Sequence, residues 1–429
     1  MSLRPLGCAA RRLAGAFPVT PRGIGVAVLC GASLRVWGYG SLDLVVFALA
    51  VTGLALLAIA VAVVASAALT LRGDRRTAPA SWPARLEADR PVRTGLSLPA
   101  LERVPLVALD WSVAEPSGFG CRVRSEAGRA SEELTPTRRG IVQRVRRRFR
   151  VGDAFGLTRI RWEREEAASF VVLPATRGLR RLVWLRALAS GEGMPHPAGR
   201  PEGDRMEMRR YVPGDSVRHI LWKTFARSRQ LEVRTPERSV HRARRTLAYL
   251  VAGADDEAAA AAARVALESR ALGEAWLFGA DGTDVPTDRL EAALRAIARS
   301  ADARAPGGDA LHGLRRFLAA ARADGATHCV VFAPPGLLAA AAALSAVLRA
   351  SGASATCVFA VDGLRERAAT RPLWERLLFA PPPATGLPVA GLSAQLARFS
   401  SPACTAVVVD RATGRVVAGR LEPAWRLSA

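Results

Sequence analysis

Lysine, paired cysteines and the common catalytic motifs are what this sequence lacks. Lys223 is its only lysine, so arginine carries nearly all of the formal net charge of +23. There is no G-x-x-x-x-G-K-[ST] loop, no H-E-x-x-H sequence and no G-x-S-x-G elbow, so we expect no catalytic residue and no enzyme. The six cysteines form no C-x-x-C pair, which argues against a disulfide framework or a zinc site and fits a reducing compartment: Cys8, Cys30, Cys121, Cys329, Cys357 and Cys404.

The composition is that of a folded protein with a basic surface. Half of the 429 residues are hydrophobic, which excludes disorder over most of the length. A chain of this length suits two or three domains. The positive charge favours anionic lipid headgroups, nucleic acid or acidic proteins as partners. An arginine-rich, lysine-poor composition is also what a high-GC bacterial genome produces, so most of these arginines need no individual explanation.

Two apolar segments lie near the N-terminus. Residues 42–71 contain a single charge, Asp43, at the edge of the run. About twenty apolar residues cross the hydrocarbon core of a bilayer, so we predict a transmembrane helix here. Residues 23–40 are also largely apolar and end in arginine and aromatic side chains, which anchor at the lipid–water interface. We therefore predict a transmembrane helical hairpin over residues 23–71.

The flanking arginines indicate the orientation of this hairpin. The positive-inside rule places both termini, the basic segment 1–22 and the soluble body in the cytoplasm, at the cell (inner or plasma) membrane. A signal-peptide-like region is the alternative, but a second apolar run follows at once and no small-x-small cleavage site stands out. The arginines lie before the first apolar segment and after the second, with none in the turn: Arg4, Arg11, Arg12, Arg22, Arg72, Arg75 and Arg76.

Residues 79–175 alternate in the manner of antiparallel strands. Short runs broken by Gly and Pro predict a small β-sandwich, at residues 104–111, 120–124, 141–151 and 169–173. Alternate residues of a strand point to opposite faces. One face of the third run therefore carries Val145, Arg147, Phe149 and Val151, and the other is a basic stripe of Arg144, Arg146, Arg148 and Arg150. A solvated strand face and a surface for lipid or a partner both stay open for this stripe.

Apolar strands alternate with helical patterns over residues 246–429. This alternation predicts a mostly parallel sheet covered on both faces. His328 and Cys329 are adjacent on one strand, so their side chains point to opposite faces and cannot form a dyad. The predicted strands are 246–252, 274–279, 327–333 and 355–361, the helices 256–272, 287–300, 309–323 and 337–350, and the closing hairpin 406–410 with 415–421. Residues 176–245 connect the two regions, and within them the Gly- and Pro-rich segment 190–204 is predicted to be a mobile loop.

The connecting region contains the most informative pattern, MRRYVPGDSVRHILWKTFARSRQLEVRTPE at residues 208–237. It resembles the signature of the bacterial family catalogued as domain of unknown function 58, approximately R-x-Y-x-x-G-D-x-x-R-x-I-x-W-K-x-x-A-R-x-x-x-L-x-V. The matching positions are Arg209, Tyr211, Gly214, Asp215, Arg218, Ile220, Trp222, Lys223, Ala226, Arg227, Leu231 and Val233. Residues 135–157 also resemble the family's R-G-x-Y stretch and following D-P-F-G-L. This chain departs from the family at Arg210, Ala154 and Ile141-Val142.

The resemblance implies paired N-terminal spans, a von Willebrand A-like C-terminal region and a MoxR-family AAA+ ATPase as partner in a chaperone-like or envelope-associated system. In von Willebrand A-type proteins D-x-S-x-S, a Thr and an Asp can build a metal site. Here Asp255 and Asp256 follow the first strand without the serine pair, and the other positions fall near Gly308-Asp309-Ala310 and Ala333-Pro334-Pro335. Because Mg²⁺ needs converging oxygens, we expect no bound metal and no cofactor.

The motif has three readings. Gly214 permits a tight turn, Asp215 can cap a helical turn and pair with Arg218, and Ile220 and Trp222 alternate into a core. The structural reading is a polar network that locks the junction between the sandwich and the α/β domain. In the second reading Arg218, Lys223 and Arg227 present charge to a partner or an anionic ligand, and in the third Lys223 is catalytic.

The favoured function is a non-enzymatic, membrane-anchored scaffold or adaptor. Its partners would be the lipid bilayer, the MoxR-family AAA+ ATPase and other membrane proteins. The alternative is a nucleic-acid-binding or anionic-ligand-binding protein that uses the basic surface. Base stacking needs aromatic residues among the basic ones, and the stripe contains only Phe149, so we expect no nucleic acid partner.

Overall fold

The structure is a computed structural model that describes most of the chain. The described residues are 17–41, 43–73, 82–101, 104, 106–126, 128–181, 195–213, 220–239, 245–303, 309–321, 328–352, 354–365, 387–388, 392, 396, 399 and 404–418. The chain divides into two units, residues 1–172 and 173–429. The predicted fold class is confirmed as a mixed α/β protein with one long apolar helix near its N-terminus.

Two helices begin the first unit. Helix α1 (Pro21–Ser33) is followed by a π-helical turn (Leu34–Tyr39), and helix α2 spans Leu44–Gly73. At about 1.5 Å per residue, α2 is about 45 Å long, and within the described residues it is the one helix long and apolar enough to cross a membrane. The apolar segment predicted at residues 42–71 therefore forms a helix, but its crossing of a membrane stays a prediction.

Two antiparallel sheets follow the helices, as the strand pattern predicts. The four-stranded sheet has the order β1-β7-β6-β3 and the three-stranded sheet the order β2-β5-β4. Their strands are β1 (Arg85–Glu87), β2 (Val92–Pro99), β3 (Val107–Glu115), β4 (Phe119–Glu126), β5 (Arg129–Pro136), β6 (Gly140–Asp153) and β7 (Arg159–Leu173). The pairs β3–β6, β6–β7, β2–β5 and β4–β5 are all antiparallel.

The C-terminal third of α2 belongs to the core of these sheets. Burial places one helical face in a common cluster with side chains of both sheets: Val64, Ala67, Ala68 and Leu71 with Leu96, Leu98, Trp111, Ala130, Phe149, Val151 and Ile160. The guanidinium of Arg72 also lies 5.1 Å from the ring centre of Trp162. Burial of apolar surface drives this packing, so the last turns of α2 are part of a protein core.

The second unit begins with a long two-stranded ribbon. Strand β8 (Pro195–Arg210) pairs antiparallel with β9 (Glu232–Ser239), and helix α3 (Trp222–Ser228) lies between them in the chain. The mobile loop predicted at 190–204 is wrong for residues 195–204, which lie in β8; residues 190–194 are outside the described residues. The register shifts between Pro195 and Arg200 and between Pro201 and Met206. Such irregularities are where strands accommodate Pro and Gly.

A six-stranded sheet forms the rest of the second unit. Its order is β11-β10-β12-β13-β16-β17, parallel except for the last pair. The strands are β10 (Thr246–Leu250), β11 (Trp276–Ala280), β12 (His328–Ala333), β13 (Ser354–Val361), β16 (Cys404–Asp410) and β17 (Val416–Ala418). The helices are α4 (Glu257–Glu268), α5 (Leu290–Arg299), α6 (His312–Ala321) and α7 (Ala341–Ser351). A short parallel pair, β14 (Leu364–Arg365) with β15 (Leu387–Pro388), was not predicted.

The predicted strands and helices of this region therefore form, including the closing hairpin. Each begins or ends within a few residues of its predicted bounds. The von Willebrand A-like assignment stays a prediction, because a parallel sheet with covering helices is shared by many protein families.

Candidate functional site

The signature motif is held at the end of the β8–β9 ribbon. The Tyr211 amide donates to the Leu231 carbonyl at 2.9 Å, and the Leu221 amide donates to the Glu232 carbonyl at 2.9 Å. Ile220 and Val233 are buried and form an isolated β-bridge. These contacts fix both ends of helix α3, so the ribbon presents the helix in a defined position.

The predicted motif residues fall into three groups. Arg209 lies in β8, where its backbone is in register with Val233, and Tyr211 follows the strand and is half-buried. Trp222, Lys223 and Arg227 lie on α3 and are exposed. The other three lie outside the described residues, so the polar network predicted through them stays a prediction: Gly214, Asp215 and Arg218.

Trp222 does not enter the core that its spacing from Ile220 predicts. Its side chain is 57% exposed. The period-two alternation ends because the chain turns into helix α3 at Trp222, and helical residues no longer alternate between two faces. Trp222 instead contacts Phe225 edge-on, with ring centres 6.3 Å apart.

The exposed surface of α3 combines this indole with positive charge. Lys223 and Arg227 are four residues apart, which places them on one side of the helix. Among the acidic side chains that the structure describes, which do not include those of β8, none forms an ion pair with either of them. We call Trp222, Lys223 and Arg227 the α3 surface. Trp and Arg are residues that protein interfaces are enriched in.

The basic stripe of β6 has a different environment, because acidic residues on both neighbouring strands face it. Arg146 binds Glu115 at 2.8 Å, Arg148 binds Glu163 at 2.9 Å and Arg150 binds Asp110 at 3.1 Å. Arg144 lies 3.6 Å from Glu165 and 3.7 Å from Glu115. The four arginines therefore face four carboxylates, and their charge is neutralised within the sheet.

The opposite face of β6 hides a charged cluster that the sequence pattern did not predict. Arg147, only 1% exposed, binds the fully buried Glu132 at 2.9 Å and Glu166 at 2.7 Å. Glu132 also accepts hydrogen bonds from Thr94 Oγ1 at 2.6 Å and Trp111 Nε1 at 3.0 Å. Burial alone would lower the pKa of Arg147, but the bonds to the two glutamates outweigh it and raise that pKa. The cluster is a satisfied structural network.

The carboxyl edge of the parallel sheet carries a half-buried carboxylate, Asp281. Tyr249 Oη donates to Asp281 Oδ1 at 2.6 Å, and the Ala252 amide donates to Oδ2 at 2.8 Å. Burial raises the pKa of Asp281, and these hydrogen bonds offset the effect only in part. A Cβ at Gly313 would stand 2.3 Å from both Asp281 Oδ1 and Tyr249 Oη, so the pair is enclosed by protein.

The acidic residues Asp256 and Asp309, near the metal-site positions implied by the resemblance, have partners within the protein. Asp256 accepts a hydrogen bond from the Gly253 amide at 3.0 Å, and Asp309 pairs with Arg315 at 2.8 Å. Across the described ranges, no three His, Cys, Asp or Glu side chains form a group that could hold a metal ion. His328 Nδ1 lies 2.9 Å from Ser354 Oγ, while Cys329 is buried in the core, in agreement with their predicted opposite faces.

Comparisons with protein-family models, curated proteins and solved structures find no match for this chain.

Proposed function

We propose that this chain is a non-enzymatic, membrane-anchored scaffold that binds a partner protein through the α3 surface. The observation that carries the proposal is the exposed Trp222 on the same short helix as the exposed Lys223 and Arg227. A large aromatic side chain that stays in water in the free protein loses solvent contact when a partner covers it, and such residues dominate binding energies at interfaces.

The membrane anchor in this proposal is helix α2. Its length and apolar composition support the assignment, and the flanking arginines support a cytoplasmic body with both termini inside. The predicted hairpin and the von Willebrand A-like character of the parallel sheet belong to the same proposal. They rest on the sequence pattern and on the resemblance at residues 208–237.

The partner that the resemblance favours is a MoxR-family AAA+ ATPase. The positive charge of the α3 surface suits an acidic patch on that partner, because complementary charge steers association and selects among partners. Lys223 takes part as a compact ammonium group, a role that a planar guanidinium does not reproduce. The neutralised stripe of β6 gives no support to the nucleic-acid alternative.

Crosslinking with mass spectrometry in native membranes tests the proposal. We expect the wild-type chain to recover an AAA+ ATPase and the Trp222→Ala variant to lose most of it, at least tenfold. Arg148→Ala is the matched control, because it removes an exposed basic side chain of the stripe and should leave recovery unchanged. Equal recovery by Trp222→Ala and the wild type, or no AAA+ ATPase with either, would contradict the proposal.

A further inference from the structure

The loop between β6 and β7 lies at the start of helix α1, and hydrogen bonds hold it in one conformation. We call residues 153–158 the platform. Asp153 Oδ1 accepts hydrogen bonds from the Phe155 amide at 2.8 Å and the Leu157 amide at 3.2 Å. Its other oxygen accepts from the Thr158 amide and from Thr158 Oγ1. Burial alone would raise the pKa of Asp153, but these hydrogen bonds outweigh it and lower that pKa.

Helix α1 is attached directly to this platform. The Thr20 amide donates to the Leu157 carbonyl at 2.9 Å, and Thr20 Oγ1 donates to the Gly156 carbonyl at 2.7 Å. A Cβ at Gly23 would stand 2.3 Å from the Leu157 carbonyl oxygen, so only glycine allows this close approach. Residues 153–158 and the first turn of α1 therefore form one fixed unit.

Contacts between the two helices give the height of the platform along α2. Cys30 of α1 lies opposite Gly53, since a Cβ at Gly53 would stand 2.8 Å from Cys30 Sγ. Tyr39 contacts Phe47 edge-on, with ring centres 5.5 Å apart, so the helices run antiparallel. Thr20 is ten residues before Cys30 and Val63 is ten residues after Gly53. The platform is thus level with Val63.

Beyond Val63 one face of α2 is covered by the sheets, while the opposite face stays exposed at Leu69. The next residue, Val64, is the first of the helix in the core of the two sheets. The segment from Leu44 to Val63 spans about 30 Å, the thickness of the hydrocarbon core of a bilayer. The boundary of the bilayer should therefore lie at the level of the platform.

Two large apolar side chains are exposed at this level. Phe155 is 66% exposed on the platform, and Leu106 is 60% exposed beside it, with the Ala154 amide donating to the Leu106 carbonyl at 2.7 Å. Leu106 has a φ of +64°, a conformation that leucine rarely adopts. The guanidinium of the exposed Arg22 lies beside Gly156 of the same loop.

We propose that Phe155 and Leu106 insert into the headgroup region of the leaflet from which α2 emerges, while Arg22 binds lipid phosphates. Aromatic and basic side chains occupy this region of a bilayer, with the ring buried and the charge at the phosphates. The inference rests on the proposed membrane anchor. It adds that the β-sheet unit is seated directly on the lipid surface by its own side chains.

Photo-crosslinking tests this surface in the full-length chain. Phe155→p-benzoylphenylalanine keeps an aromatic ring at an exposed position, so folding should be preserved. The chain is reconstituted in vesicles of phosphatidylethanolamine and phosphatidylglycerol, washed with carbonate, irradiated and analysed for lipid adducts. The control is Arg138→p-benzoylphenylalanine, because Arg138 is exposed in the turn before β6, at the opposite end of that strand from the platform.

We expect at least tenfold more lipid adduct at position 155 than at position 138. Equal yields from protein that remains in the washed vesicles would overturn the inference and leave the anchor intact. Adducts at position 155 to protein instead of lipid would overturn it in favour of a protein contact. Loss of the chain in the wash would refute the anchor and this inference together.

Discussion

The stripe of β6 and the α3 surface are both basic, but only the stripe has acidic partners among the side chains that the structure describes. Each arginine of the stripe lies within 4.0 Å of a carboxylate of β3 or β7. Lys223 and Arg227 form no ion pair with any acidic side chain that the structure describes, and Trp222 of the same helix is exposed. The net charge of +23 therefore does not identify a binding surface, because acidic residues on neighbouring strands determine which charges are neutralised.

The loss of a single charge should destabilise the protein most on the buried face of β6. Arg147→Met leaves Glu132 charged and fully buried, so we expect the free energy of unfolding to fall by about 3–5 kcal/mol. Urea unfolding of the full chain in detergent measures it. The double variant Arg147→Met with Glu132→Gln should recover part of the loss, and a fall of less than about 1 kcal/mol in the single variant would refute a structural role.

A substitution in the platform should lower the free energy of unfolding by less, and the loss should depend on pH. Asp153→Asn weakens four hydrogen bonds to a half-buried carboxylate, so we expect a loss of about 1–2 kcal/mol at neutral pH. Because folding lowers the pKa of Asp153, its contribution is complete above the ordinary carboxyl pKa and disappears as the pH falls through the folded value. The difference in unfolding midpoint between the wild type and the variant should therefore stay constant from pH 7 to about pH 5 and narrow as the pH falls below about 4.

Asp110→Asn is the control for the platform, because Asp110 is exposed and pairs with the exposed Arg150 in the stripe. A difference between Asp153→Asn and the wild type that does not narrow below about pH 4 would show that the charge of Asp153 does not stabilise the loop.

The stripe should contribute little to stability. Arg148→Met breaks an ion pair whose side chains are 55% and 40% exposed, and such pairs are worth about 0–1 kcal/mol. Urea unfolding of Arg148→Met and of Arg147→Met under the same conditions compares the free energies of unfolding for adjacent residues of one strand. A loss as large as that of Arg147→Met would mean that the stripe is a structural element and that exposure does not decide the energy.

The smallest effect on stability should come from the α3 surface. Lys223→Gln removes an exposed charge that has no ion-pair partner among the described residues, so the free energy of unfolding should change by less than about 0.5 kcal/mol. Thermal unfolding in detergent checks this. A destabilisation of about 2 kcal/mol or more would place Lys223 in the polar network predicted for the motif and would remove its charge from the proposed interface.

The sequence pattern predicts most of the fold but little of its polar interior. The strands β10, β12 and β13 are uninterrupted apolar runs, so their position was predictable. The partners of Arg147 lie on β5 and β7, 15 and 19 residues away in the chain, and no local pattern encodes such pairing. Asp281 likewise resembles a solvated loop charge until the fold brings Tyr249 to it.

Two features of the candidate sites could not be predicted from local sequence patterns either. Helix α2 is apolar on every side, so its periodicity cannot tell the part that packs on the sheets from the part that faces lipid. The exposure of Trp222 depends on where the chain changes from strand to helix, and element boundaries are the least predictable part of a fold. The exposed Phe155 could be predicted only in part. The resemblance to the family includes its loop, but it does not indicate which residues surround that loop.

Carbonate extraction of native membranes tests the anchoring of the chain by α2 most directly. The wild-type chain should remain in the membrane pellet. The double variant Leu56→Arg with Ile59→Arg places two charges at exposed positions in the middle of α2, each costing about 2.5–3.5 kcal/mol on insertion, and should appear mainly in the supernatant. Release of the wild-type chain as a soluble protein would contradict the membrane anchor and the scaffold function that depends on it.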